Sequence, residues 1–322
     1  MLTRIHRSAS AAHLRPAFTL LLNRRLFALS ALLLLGATFA STTRAQAATA
    51  VVEAVQLPAW VERQGQRRPA QPGQQLSDSD KAVTAEGARM LLRLGDRSVI
   101  KLGERTEFQI EQLAARQRGT GGPSELKATL RLITGVFRYA TDYTSKALGN
   151  RRELNLKMAT ATVGIRGTDF WSMTDAEHDA VCVFEGRVVV AREQRADIAL
   201  DQPGAFWVTF TGQPEQPPGQ ATPLQLAQFI DQADLRPGSG ILLQGGRWRT
   251  VVAQPASEAA GVAMRVSLQA AGYPAELVVR QGRHEVRINQ LATQADAQAV
   301  LTRLKADAAL GVTGGRVALA AD

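Results

Sequence analysis

Gly87-Ala88-Arg89-Met90-Leu91-Leu92-Arg93-Leu94, then Gly95-Asp96-Arg97, then Ser98-Val99-Ile100-Lys101-Leu102, sets two short apolar runs on either side of a turn triplet. Runs of this length, joined by three residues that include Gly, predict a β-hairpin. The same grammar extends in both directions. Residues 127–139 form another apolar-polar run with a Gly at 135, and 117–123 form a Gly-rich loop. Val181-Cys182-Val183-Phe184, Glu185-Gly186 and the run 187–191 read as a second hairpin. Several short strands with regular turn punctuation predict a mainly β domain over 51–210, sandwich or barrel-like.

Beyond it the pattern changes. Residues 213–223 contain four prolines and mark a linker, 211–244, with a short helix at 224–235 that Pro237-Gly238 ends. Residues 245–322 read strand, helix, strand, strand, helix, strand: a small α+β domain with a four-stranded antiparallel sheet and two helices (βαββαβ). Ser257 and Thr293 are N-cap residues, and Asp296 stands three residues after Thr293 as in a capping box. The first helix has the stripe Ala260, Met264, Leu268, Ala271; the second has Ala297, Val300, Leu301, Leu304, Ala308.

Six of the nine surplus positive charges lie in residues 1–47, which contain no acid, leaving only +3 for the remaining 275 residues. That distribution gives no reason to expect nucleic-acid binding. Arg24-Arg25, a short apolar run to Phe39 and the exit Ala45-Gln46-Ala47 predict a secretory signal peptide over 1–47, with a mature start at Ala48. No later run has the ~20 apolar residues of a spanning helix, so the mature chain is expected in the periplasm or cell envelope without a transmembrane span. A single cysteine, Cys182, excludes an intramolecular disulfide framework, and the four histidines lack metal-ligand spacing. No cofactor, metal site or catalytic residue is expected, because no P-loop, H-E-x-x-H or G-x-S-x-G occurs. Cys182, between two valines on a strand, reads as a buried inert thiol.

Gly164-Ile165-Arg166-Gly167-Thr168-Asp169-Phe170, followed by Glu185-Gly186-Arg187-Val188-Val189-Val190, resembles the FecR family over roughly residues 58–210. Leu94 to Leu102 stands where the family carries its D-G-S strand pair, with Gly95 and Asp96 transposed. The resemblance implies an extracytoplasmic β domain. Its best-known members are inner-membrane regulators of a sigma factor, and their cytoplasmic helical segment has no counterpart in this sequence. Arg166 and Asp169 read either as a binding pair or as a fixed structural ion pair at a turn.

Ala271-Gly272-Tyr273-Pro274-Ala275, Val286-Arg287-Ile288 and the run 297–305 resemble the SPOR family, which implies a peptidoglycan-binding sheet. Strand alternation places Thr250, Val252, Leu277, Val279, Val286 and Ile288 toward the helices. The opposite face receives Arg249, Val251, Glu276, Val278, Arg280, Glu285, Arg287 and Asn289. Arg249, Arg280, Arg287 and Asn289 are the candidate glycan-binding residues, because guanidinium pairs bidentately with the carboxylate of muramic acid. The functional expectation is therefore a non-enzymatic envelope binding protein. It associates with peptidoglycan glycan strands and uses its FecR-like domain on an envelope protein or a wall ligand. The alternative is a periplasmic signalling adaptor of the FecR type.

Overall fold

The computed structural model describes residues 50–117, 124–141 and 151–320. The expected leader with its Ala45-Gln46-Ala47 exit, and most of the 117–123 loop, lie outside them. Among the described residues no helix is long and apolar enough to cross a membrane.

The protein is mainly β. Among the described residues, fifteen strands precede the first helix. They are β1 (Ala50–Gln56), β2 (Ala59–Arg63), β3 (Gln66–Pro69), β4 (Gln75–Leu76), β5 (Lys81–Thr84), β6 (Arg89–Arg93), β7 (Val99–Leu102) and β8 (Glu107–Gln117), then β9 (Ser124–Ala140), β10 (Arg151–Lys157), β11 (Ala161–Thr174), β12 (His178–Arg192), β13 (Ile198–Leu200), β14 (Ala205–Phe210) and β15 (Gly219–Gln220). The hairpin expected around Gly95-Asp96-Arg97 is β6–β7, with Met90 opposite Leu102 and Arg97 in the left-handed region at its turn.

Three long strands organise this region, and each changes partners part-way. β9 pairs with β8 and, in parallel, with β10 over its first half, then with β7 and β11 from Gly135 onward. Gly135 has φ +98° and lies so close to Thr106 that a Cβ would sit 2.3 Å from its hydroxyl, so only glycine fits this corner. β11 switches from β10 to β9, and β12 switches from β14 to β13, at the matching level. Two half-sheets thus share three bent strands, as in orthogonal sheet packing. Phe108, Phe137, Tyr139, Phe170, Val181, Val183 and Val188 fill the space between them.

The expected hairpin at 181–191 is instead one continuous strand, β12. Gly167 and Thr168 of β11 oppose the single Gly186, a β-bulge that bends both strands and absorbs the apparent turn residues. Gly186, at φ +84°, faces Thr168, so Glu185-Gly186 marks a bend and not a reversal.

The remaining elements are α1 (Pro223–Ala233), β16 (Ile241–Leu243), β17 (Trp248–Ala253), α2 (Glu258–Ala270), β18 (Glu276–Arg280), β19 (Arg283–Leu291), α3 (Gln294–Ala306) and β20 (Arg316–Leu319). β18, β19, β17 and β20 lie side by side in that order, all antiparallel. Thr293 caps α3, and the buried Asp296 accepts from the backbone N–H groups of Gly240 and Ile241, 3.0 Å each. Two stripe residues differ from expectation. Ala260 is exposed, its neighbour Gly261 being the buried position against Leu277, and Ala308 is exposed in a 3-10 turn beyond α3.

The stretch expected to be a linker is held at several points. Glu215 accepts from Trp207 Nε1 and Arg195 at 2.7 Å and also pairs with Arg192. β16 pairs with β1, Gln56 opposite Ile241, and touches β19 at Leu242 opposite Leu291. Trp60 donates from Nε1 to the carbonyl of Ala270 at 3.1 Å, and Arg303 donates to the carbonyl of Leu57. Ala45–Asp322 consequently forms one compact unit with a shared apolar core.

Candidate functional site

Two surfaces carry residues singled out by the sequence. The first lies on the outer face of the β7–β9–β11–β12–β14 half-sheet. Alternation along β11 and β12 sends Phe170, Val181 and Val183 inward, and Trp171, Ala180 and Cys182 outward, into a second apolar cluster with Val136, Phe206 and Val208. An apolar outer face needs a cover, and α1 supplies it. Phe229 of α1 stacks on Trp171 (centroids 4.1 Å) and on Phe206 (5.7 Å), with Leu226 and Ala233 beside it. Under this cover Cys182 is fully buried, and burial pushes its thiol up to about 12.

At the rim, Asp169 of the Gly-Thr-Asp stretch does not rest on its neighbour in sequence. Arg138 grips it with two hydrogen bonds, 3.0 and 2.8 Å, while its guanidinium lies 4.9 Å from the ring of Phe184. Burial alone would lower the Arg138 pKa; Asp169 reverses this and raises it. Asp169 therefore has a fixed structural partner, Arg138, while the Arg166 side chain lies outside the described residues. Arg138 also reaches Asp234, the C-cap of α1, at 3.5 Å, and Lys101 pairs with the same carboxylate. Arg89, only 2% exposed, donates from Nη2 to the Asp231 carbonyl at 3.3 Å; burial first, and Arg236 second, lower its pKa. Sequence reasoning missed Arg138, Lys101 and Asp234 because they meet only across three separate elements. The signal that was available is the polar-apolar alternation of β9, which puts Arg138 on the outward side between the inward Phe137 and Tyr139.

The second surface is the open face of the C-terminal sheet. Arg280 and Arg287 lie close enough to Arg249 for their charges to act on it. Burial and then the charges of Arg280 and Arg287 lower the Arg249 pKa. Arg249 is 6% exposed, donates to the Leu319 carbonyl at 2.9 Å, and has no carboxylate within ion-pair distance among the described residues. Asn289 joins the group through Glu276, donating at 2.7 Å, and Arg287 Nε lies 3.9 Å from the same carboxylate. Arg316 completes the cluster. It pairs at 3.0 Å with Glu285, which is almost fully buried, and Glu285 is held below its usual pKa by Gln254 and Arg316 despite its burial. Val251 is buried on this same face, with Arg287 and Arg316 as its cross-strand neighbours. Val279 was expected to face the helices and is 67% exposed; it stands next to the β18–β19 turn, opposite His284. Four arginines and two glutamates thus meet on this face, with Arg287 and Arg316 paired to the glutamates.

Comparison with known proteins gives one family. Residues 80–189 match the family described as FecR protein. No curated protein matches the chain in sequence. Two crystal structures, both described as a candidate anti-sigma factor from Parabacteroides distasonis, share 13% identity with it. One covers 70% of this chain and 90% of its own, at a TM-score of 0.36; the other covers 64% and 97%, at 0.34. The C-terminal sheet lies outside the family match. The β-rich stretch with its bent strands and its Arg138–Asp169 pair is a FecR family domain, residues 80–189.

Proposed function

We propose that this protein is a non-enzymatic regulatory adaptor of the extracytoplasmic space, whose FecR domain binds a protein partner. The observation that carries the reading is the FecR match over 80–189, and the expected leader over 1–47 gives the chain a route across the inner membrane. The outer face of the domain adds a physical reason. It concentrates aromatic rings and Arg138 in one place, residue types enriched at protein contact surfaces, with α1 lying over the rings. Deleting the gene tests the reading. Transcription of a neighbouring uptake system is expected to change, and to return when the full chain is supplied. Unchanged transcription refutes it.

A second reading has its own observation, the cluster of Arg249, Arg280, Arg287 and Arg316 around Glu276 and Glu285. Together with the strand-helix layout of residues 245–322, it supports association with glycan strands through a SPOR-like module. In that case the mature protein is retained by sacculi whose stem peptides have been removed by amidase, more than by intact sacculi. Arg287→Ala then weakens retention roughly tenfold, the loss of one charge-assisted hydrogen bond on a wet face. Equal retention of parent and variant removes Arg287 from the site.

A further inference from the structure

We infer that β18, an open edge of the C-terminal sheet, is a self-association site: a second copy of this chain adds its own β18 there, antiparallel, about a two-fold axis at Val278. The association requires neither of the functions proposed above.

β18 is the five-residue run Glu276-Leu277-Val278-Val279-Arg280, and β19 is its only strand partner among the described residues. Its turn to β19, Gln281-Gly282, has φ +50° and +73°. Left-handed values at both positions mark the two-residue hairpin in which the flanking residues, here Arg280 and Arg283, form a hydrogen-bonded pair. Pairs alternate along an antiparallel ladder, so Leu277–Val286 and Val279–His284 are the pairs without backbone hydrogen bonds. The N–H and C=O groups of Leu277 and Val279 therefore point away from β19, and no other backbone group of the described residues meets them.

Sheet edges are commonly blunted by proline, by a bulge or by charges along the strand. β3, which among the described residues pairs only with β2, is blunted in this way by Arg67, Arg68 and Pro69. β18 is not. It contains no proline, keeps an unbroken register with β19 and carries Leu-Val-Val in its middle, with Val279 largely exposed. A strand of this composition with a free row of backbone groups is a template for another strand.

The strand's own charges select the second copy as the partner. With Val278 opposite Val278, Leu277 of each copy exchanges both outward backbone hydrogen bonds with Val279 of the other. The same register sets Glu276 opposite Arg280 at both ends of the contact. Moving the axis to Leu277 or to Val279 puts Glu276 opposite Val278 or Gly282, and neither charge is matched. Both charges are accessible. Arg280 is exposed, and Glu276, 53% exposed at its side chain, meets Asn289 and Arg287 through Oε2. Residues directly opposite share a face of the sheet, so Val279 of one copy comes to lie beside Leu277 of the other. Leu277 packs against α2 at Gly261, where an added Cβ would lie 2.6 Å from it, and the exposed valine thereby gains apolar cover. A self-complementary contact of this kind closes at two copies and joins the two C-terminal sheets edge to edge.

The test is sedimentation equilibrium of the full mature chain. A short edge makes a small contact, so the parent is expected to dimerise with a Kd on the order of tens of micromolar. Glu276→Arg and Arg280→Glu each set like charges against one another at both ends, and each is expected to weaken association roughly tenfold or more. Mixed in equal amounts, the two variants restore both pairs, because one copy then brings two arginines and the other two carboxylates. The mixture is expected to associate about as tightly as the parent, a recovery that unfolded chains or a contact elsewhere would not give. Val279→Pro removes an outward N–H and no hydrogen bond to β19, and is expected to abolish association. A parent that stays monomeric at about tenfold above that Kd overturns the inference. So does a dimer that either charge variant leaves unchanged, or folded variants that fail to associate when mixed. Should a charge variant fail to fold, Val279→Pro decides, and an undiminished dimer in it overturns the proposal.

Discussion

Glu215→Gln removes one charge from the Pro-rich stretch and leaves its shape. In the native protein Glu215 is 13% exposed at its side chain and sits among Trp207 Nε1, Arg192 and Arg195. Burial by itself would raise its pKa; hydrogen bonds from Trp207, Arg192 and Arg195 outweigh it and hold the group at about 2, below the ordinary 4.5. The folded-state pKa is the lower one, so the carboxylate stabilises the fold above about 4.5 and loses that contribution as pH falls toward 2. Taken at face value such a depression corresponds to roughly 3 kcal/mol. Solvent reaches the site on the side of Arg195, 60% exposed, and screening reduces the expected loss in the variant to about 1–2 kcal/mol at neutral pH. Urea unfolding of parent and variant at pH 7, 5 and 3 measures it. The difference should be largest at pH 5–7, with less than half remaining at about pH 3. A difference that is the same at pH 3 and pH 7 shows that charge is not its origin. No difference at any pH means that residues 213–218 hang free, and refutes the clamp.

Gly272→Ala tests the attachment of the C-terminal sheet. Gly272 has φ +86°, and an added Cβ would lie 2.7 Å from the indole of Trp60; the left-handed backbone and the displaced ring together should cost about 2–3 kcal/mol. The expected signs are a lower midpoint in thermal unfolding and a red-shifted tryptophan emission, and an unchanged midpoint argues against the packing of Trp60 there. Cys182, fully buried with its thiol pushed up to about 12, should resist iodoacetamide at pH 8 in the native protein and react completely in denaturant. Rapid native labelling contradicts the cover that α1 provides.

Local signals in the sequence determined much of this protein. The turn triplet Gly95-Asp96-Arg97 specified the β6–β7 hairpin, because backbone demands at a tight turn are met by few residue types. Thr293 with Asp296 specified the start of α3, and the apolar period specified Val300, Leu301 and Leu304 as its buried face. The alternation of β17 and β19 was enough to bring Arg249, Arg287 and Asn289 to one side of the sheet, since side chains of a strand change face at every residue. The FecR signature, too, was legible as a pattern of residues.

Tertiary structure decided the rest, and the reason is the same in each case: the controlling neighbour is distant in sequence. Glu185-Gly186 has the composition of a turn, yet Gly167-Thr168 on the facing strand turns it into a bulge. The prolines of 213–223 have the composition of a linker, yet Trp207, Arg192 and Arg195 hold Glu215 in place. Asp169 takes its partner, Arg138, from 31 residues away. Asp296 was readable as a cap, but its second task, fixing Gly240 and Ile241, exists only once β16 has paired with β1. Local chemistry chooses the element, because turns, caps and periods are satisfied within a few residues. Whether an element ends, bends or is covered depends on buried polar groups and apolar faces finding partners across the fold.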